Sequence, residues 1–144
     1  MERVSILPYF EYDETEIMHL YKSVGWSNYY ERPELLRKAF ANSLCTLGAY
    51  SGGKLVGIIR VVGDGHSIIY VQDLLILPEY QHTGIGTGLL SAILEKFGNV
   101  YQKILVTDRT EKTISFYESL GFTELTEIGC VAFLHSANSP APLM

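Results

Sequence analysis

The spacing of apolar positions changes along this chain and marks out one element after another. Residues 1–9 carry Val4, Ile6 and Leu7 and read as a short strand ended by Pro8, after which the acids Glu11, Asp13, Glu14 and Glu16 favour a helix N-terminus. That helix begins near Asp13. Ile17, Leu20, Tyr21 and Val24 fall at i, i+3, i+4 and i+7, which is one apolar face, and Gly25 supplies the stop. Residues 26–30 (WSNYY) read as an aromatic loop, and Pro33 then opens a second helix in which Leu35, Leu36, Ala39 and Phe40 keep helical spacing as far as Asn42. From Cys45 the period falls to two. Cys45, Leu47 and Ala49 alternate with polar or small residues, Ser51-Gly52-Gly53-Lys54 signals a hairpin turn, and residues 55–62 form the return strand. Gly63-Asp64-Gly65 turns the chain into a third strand over 67–77, whose apolar run Leu74, Leu75, Ile76 and Leu77 is ended by Pro78. Ile85, Leu89, Leu90, Ile93, Leu94 and Phe97 mark a helix closed by Gly98-Asn99, and residues 104–106 are a buried strand parallel to the one before that helix. A last helix over 111–120 stops at Gly121, residues 122–128 and 130–135 pair as strands around Gly129, and residues 136–144 have the composition of a loose tail.

Composition narrows the class. A chain of 144 residues, 47% hydrophobic and 19% charged, has the apolar material for one core and the length of one domain. The net charge of −5 and the pI near 5.3 argue against nucleic acid or an anionic membrane as the main partner. Cys45 and Cys130 are the only cysteines and form no C-x-x-C, and His19, His66, His82 and His135 have no metal-ligand spacing, so neither a disulfide framework nor a metal site is expected. No uninterrupted apolar run exceeds five residues, and the N-terminus turns acidic too early for a signal peptide. The reading is a soluble, cytoplasmic protein.

The segment with chemical content is LLILPEYQHTGIGTGLL, where the third strand runs through Pro78 into Gln81, His82, Thr83, Gly84, Ile85 and Gly86 and opens a helix directly. Glycines at 84 and 86 let backbone N–H groups turn toward a ligand without a Cβ in the way, and the helix N-terminus adds about half a positive charge. Such a cradle suits a phosphate; the same glycines would also serve a tight strand-to-helix turn. A dinucleotide fingerprint fits poorly, because its third glycine position is Leu89. A P-loop fits no better, since Gly88-Leu89-Leu90 supplies no lysine or hydroxyl.

Gln81, Gly84 and Gly86, preceded by Leu77-Pro78-Glu79-Tyr80, resemble the Gln/Arg-x-x-Gly-x-Gly/Ala signature of the GNAT superfamily of acyl-CoA-dependent N-acetyltransferases. A second block, ISFYESLGF from Ile114 to Phe122, is similar to the family's segment in the last helix and the strand after it. Two motifs in the right order, about 30 residues apart, are more specific than either alone. The resemblance covers nearly the whole chain. It implies an α/β (α+β mixed) GNAT-like fold, with a central twisted mixed sheet of about seven strands and about four helices, as a single domain over 1–135 with a tail at 136–144.

The resemblance also implies roles. The pyrophosphate of coenzyme A would lie on the N–H groups of Gln81, His82, Thr83, Gly84, Ile85, Gly86 and Thr87, and pantetheine along the backbone of Leu75, Ile76 and Leu77. Phe116 and Thr110 would complete the cofactor contacts; Thr110 stands where many relatives place an asparagine. Tyr117 matches the family's general acid for the departing thiolate. Ile114, Tyr117 and Leu120 also share a helical face, which a core tyrosine would explain equally. Asp73 is the carboxylate placed by family analogy as general base, with Glu79 second. Trp26, Tyr29 and Tyr30 offer an aromatic wall for the acceptor or, alternatively, ordinary packing. The expected activity is transfer of an acetyl group from acetyl-CoA to a primary amine of a small molecule or peptide, directly in a ternary complex and without a metal. A non-catalytic acyl-CoA sensor is the alternative. The sequence leaves a homodimer open.

Overall fold

The computed structural model describes residues 3–135; the tail expected at 136–144 lies outside them. The chain divides into two compact units after Leu105. In the first, β1 (Val4–Pro8) leads into helices α1 (Glu14–Ser23), α2 (Ser27–Tyr30) and α3 (Pro33–Ala41). Strands β2 (Cys45–Ser51), β3 (Lys54–Gly63) and β4 (Ile68–Ile76) follow, then α4 (Ile85–Lys96) and β5 (Gln102–Leu105). The sheet runs β1-β2-β3-β4-β5, antiparallel through β4, with β5 parallel to β4.

Local chemistry accounts for these elements. The Asp13 carboxylate accepts from the Glu16 N–H at 3.1 Å and caps α1, whose Ile17, Leu20 and Tyr21 are all buried. Each such burial contributes about 1.5–3 kcal/mol. The loop expected at 26–30 closes one helical turn, α2, with Trp26 at its N-cap. A Cβ on Gly57 of β3 would crowd Ile76 Cδ1 of β4 at 2.9 Å and Leu75 O at 3.1 Å, and it would reach Ile85 Cγ2 of α4, which covers this face, at 3.5 Å. Arg60, three residues on, points to the opposite face, where it meets Phe40 of α3. The sheet is therefore covered by α4 on one face and by the N-terminal helices on the other.

In the second unit, Thr110 caps α5 (Glu111–Ser119), and a 3₁₀ turn spans Leu125–Ile128. The strands expected at 122–128 and 130–135 are absent, so the described residues hold five strands instead of about seven. Local bonding explains the difference. Glu127 N–H donates to Glu124 O at 3.0 Å and Cys130 N–H to Leu125 O at 2.9 Å, which occupies groups that a hairpin ladder would need.

Candidate functional site

Strand β4 has two partners at its start and one at its end. Its pairing with β5 runs from Ile68↔Gln102 to Val71↔Leu105 and stops, while pairing with β3 continues to Ile76. Beyond Val71 the edge of β4 that faces β5 therefore has no strand on it among the described residues. The Leu77 N–H donates to Val56 O at 2.9 Å, and alternation then turns the peptide groups of Leu75 toward β3 and those of Leu74 and Ile76 toward the open edge. Of the three backbone positions expected to meet pantetheine, Ile76 faces that edge. The N–H groups of Leu75 and Leu77 turn into the sheet toward β3.

The open edge leads into the glycine loop. A 3₁₀ turn over Pro78–Tyr80 is closed by Gln81 N–H to Pro78 O at 3.2 Å, so that amide is not available to an anion. The Gln81 side chain turns back instead, and its Nε2 donates to Ile76 O at 3.1 Å. Thr83 Oγ1 donates to Tyr80 O. His82 adopts φ 63°, a left-handed conformation that costs a non-glycine residue of order 1 kcal/mol and that clusters at functional loops. Gly84, at φ 87°, is the N-cap of α4 and offers no side-chain acceptor to the helix. The first intrahelical bond is Gly88 N–H to Gly84 O at 2.9 Å, which leaves the N–H groups of Ile85, Gly86 and Thr87 without a helical partner. A Cβ built on Gly84 would find nothing within 4 Å, so the space before these donors is open. Donors, dipole and space fit a phosphate. Glu79 stands beside the loop, with its Oε1 3.9 Å from Lys54 Nζ and largely exposed.

On the opposite face β4 carries a bulge. Arg60 pairs with Asp73 and Val61 with Val71, so Gln72 is the extra residue, and it and Asp73 both reach the N-terminal helices. Gln72 Nε2 donates to Tyr29 Oη at 2.8 Å. Asp73 Oδ2 accepts from Tyr21 Oη at 2.5 Å and from Arg60 Nε at 2.7 Å, while Arg60 also reaches Ser43 Oγ at 3.2 Å. The second carboxylate oxygen, Oδ1, is buried with no partner among the described residues. Asp73 is 1% exposed. That burial and the ion pair to Arg60 leave the carboxylate closed to solvent and matched by a cation. Burial first, and then the Asp73 charge, push the Tyr21 hydroxyl well above its ordinary value.

The expected aromatic wall is a cluster built on Tyr21. Its ring lies 6.2 Å from Trp26, 5.6 Å from Tyr29 and 6.4 Å from Phe40, in edge contacts. Trp26, Tyr29 and Tyr30 are each half-buried, so they contribute packing and still present surface. Sequence reading missed Arg60 and Tyr21. A lone arginine within the apolar strand GIIRVV was the available signal, since a buried guanidinium requires an acid opposite it.

Within the second unit, Tyr117 on α5 sits between the edges of Phe116 and Phe122, at 5.0 and 5.8 Å. Burial, helped by the Asp108 charge, pushes its hydroxyl up to about 12. The hydroxyl has no hydrogen-bond partner among the described residues. Thr110, expected as a cofactor contact, is the N-cap of α5. Its hydroxyl accepts from Thr113 N–H at 3.2 Å and donates to Thr113 Oγ1 at 2.8 Å, which commits it to the helix cap.

Comparison with known proteins bears on this arrangement. The model of the acetyltransferase (GNAT) domain family matches residues 42–124. A solved GNAT-family acetyltransferase from Streptococcus pneumoniae is similar at 38% identity and a TM-score of 0.86, over 96% of this chain and 100% of that one. An uncharacterized N-acetyltransferase of Prochlorococcus marinus is 34% identical over 77% of this chain. The thialysine N-epsilon-acetyltransferase of Mus musculus is 31% identical over 41% of it. The chain spans 63% and 36% of the lengths of these last two proteins. With its glycine loop and singly paired β4 edge inside the matched region, the chain belongs to the GNAT acetyltransferase family.

Proposed function

We propose that this protein transfers an acetyl group from acetyl-CoA to a primary amine on a small molecule or peptide. The observation that carries the reading is the unpaired edge of β4 from Leu74 to Ile76 leading into the donors at the start of α4. Ile85, Gly86 and Thr87 would hold the pyrophosphate by backbone N–H groups and the helix dipole. Ile76 would offer its N–H to pantetheine, its carbonyl already accepting from Gln81 Nε2, and Leu74 on the same edge would offer a preorganised N–H to the negative charge that builds on the thioester oxygen. The thialysine enzyme is named for acetylation at an ε-nitrogen, which supports a primary amine as acceptor.

Acetyl-CoA supplies an activated acyl group. The amine nitrogen forms a bond to the acyl carbon as the carbon–sulfur bond breaks. One proton leaves the amine for solvent and one must reach the departing thiolate; the family resemblance makes Tyr117 the candidate donor, recharged from water. A hydroxyl held up at about 12 stays protonated at neutral pH, as a general acid requires. Asp73 is fixed by Arg60 and Tyr21, so water is assigned to remove the amine proton.

Coenzyme A release across a panel of primary amines, with acetyl-CoA at fixed concentration, tests the proposal. Saturable, amine-dependent thiol release is expected. Binding of acetyl-CoA with no acceptor-dependent turnover would instead make the chain an acyl-CoA sensor.

A further inference from the structure

We propose that the side-chain amide of Gln72, braced by Tyr29, is the group that holds the acceptor amine in line with the thioester; this rests on the acetyltransferase reading above. Gln72 is the residue immediately after Val71, the last residue of β4 paired with β5. It therefore stands where the open edge begins. As the bulged residue it joins Asp73 on the face of the N-terminal helices, where an acceptor would arrive past Trp26 and Tyr29. It is half-buried, and its one side-chain hydrogen bond among the described residues is the 2.8 Å contact from Nε2 to Tyr29 Oη. That bond fixes the plane of the amide and leaves Oε1 as an acceptor for an N–H.

The chemistry favours an amide here. A carboxylate at this point would stabilise the ammonium form of the acceptor, which has no lone pair to attack with. A neutral carbonyl oxygen accepts from the uncharged amine without that penalty. The neighbouring carboxylate of Asp73 is matched by Arg60 at 2.7 Å and by Tyr21, which offsets part of its negative potential toward the amine. The titratable and charged groups around Gln72 are Asp73, Arg60 and Tyr70 from the sheet and Tyr21 and Tyr29 from the helices.

Gln72→Met keeps the volume and removes the polar atoms; Gln72→Glu keeps the shape and adds charge. Steady-state kinetics with one primary amine from the panel should show kcat/KM for the amine lower by about 10- to 100-fold in Gln72→Met, the loss of one hydrogen bond to a reacting group. The KM for acetyl-CoA should stay within about twofold of the parent. In Gln72→Glu, the pH at which kcat reaches half its alkaline plateau should move upward, because the carboxylate holds the amine protonated. A packing role would not move that profile. Unchanged amine kcat/KM in Gln72→Met, a parallel loss of acetyl-CoA affinity, or an unshifted profile in Gln72→Glu would each overturn the proposal. A parent protein that binds acetyl-CoA and turns over no amine would overturn the transferase reading and this proposal together.

Discussion

Tyr21 Oη lies 2.5 Å from Asp73 Oδ2, joining the first helix to the fourth strand across 52 positions of sequence. The carboxylate is shared with Arg60, and the three side chains lie in the interior beneath the aromatic cluster. Breaking this group should cost more than replacing it. Asp73→Asn leaves the Arg60 guanidinium buried without its counter-charge, and denaturant unfolding should show a loss of about 3–5 kcal/mol. The double variant Arg60→Met with Asp73→Asn removes the unpaired charge and still gives Tyr21 an acceptor, so it should be more stable than Asp73→Asn alone. A double variant no better than the single would contradict the burial argument.

Tyr21→Phe removes one hydrogen bond to a buried carboxylate, and chemical denaturation should show a loss of about 1.5–3 kcal/mol. The same substitution should change the alkaline limit. Tyr9 and Tyr117 are pushed up to about 12 by burial, and burial also raises Tyr21 well above its ordinary value. A folded-state value above the unfolded value of 10.0 gives stability that is complete below that pH and is lost as pH rises through the folded-state values. The melting temperature should therefore fall from about pH 10 upward. Tyr21→Phe should show a shallower fall.

Gly86→Glu places a side chain and a negative charge among the first N–H groups of α4, and it should abolish coenzyme A binding by calorimetry while the far-ultraviolet circular dichroism stays unchanged. Gly84→Glu should lose binding too, and it adds backbone strain of about 1–2 kcal/mol, because Gly84 sits at φ 87°. Full affinity in a folded Gly86→Glu protein would place the phosphate site elsewhere.

Tyr117→Phe should lower kcat by roughly 10- to 10⁴-fold with acetyl-CoA affinity nearly unchanged, as for loss of a general acid. The lost group binds neither substrate, so the effect belongs in kcat. Intact turnover would make the tyrosine structural and leave protonation of the thiolate to water.

The glycine loop was legible because its chemistry is local: Pro78, Gln81, Gly84 and Gly86 lie within nine positions, and the helix they open follows from apolar spacing alone. Helices α1, α3 and α4 were legible for the same reason. The acceptor side was not. Tyr29 and Gln72 meet across 43 positions, and the alternation in YVQDLLIL is compatible with an unbroken strand that would put Gln72 and Asp73 on opposite faces. Only the register with β3 reveals the bulge. The missing final strands illustrate the converse, since apolar residues around Gly129 suggest a hairpin and local 3₁₀ bonds take the backbone groups instead.

In the proposed complex acetyl-CoA lies along the unpaired edge of β4 with its phosphates at the start of α4. Backbone amide resonances of isotope-labelled protein, followed as coenzyme A is added, test it most directly. The amides of Leu74, Ile76, Ile85, Gly86 and Thr87 should shift and saturate together, while those of Leu75 and Leu77, turned toward β3, should shift far less. Saturating shifts that leave Ile76, Ile85, Gly86 and Thr87 unmoved would contradict the claim, as would no saturable shift at all.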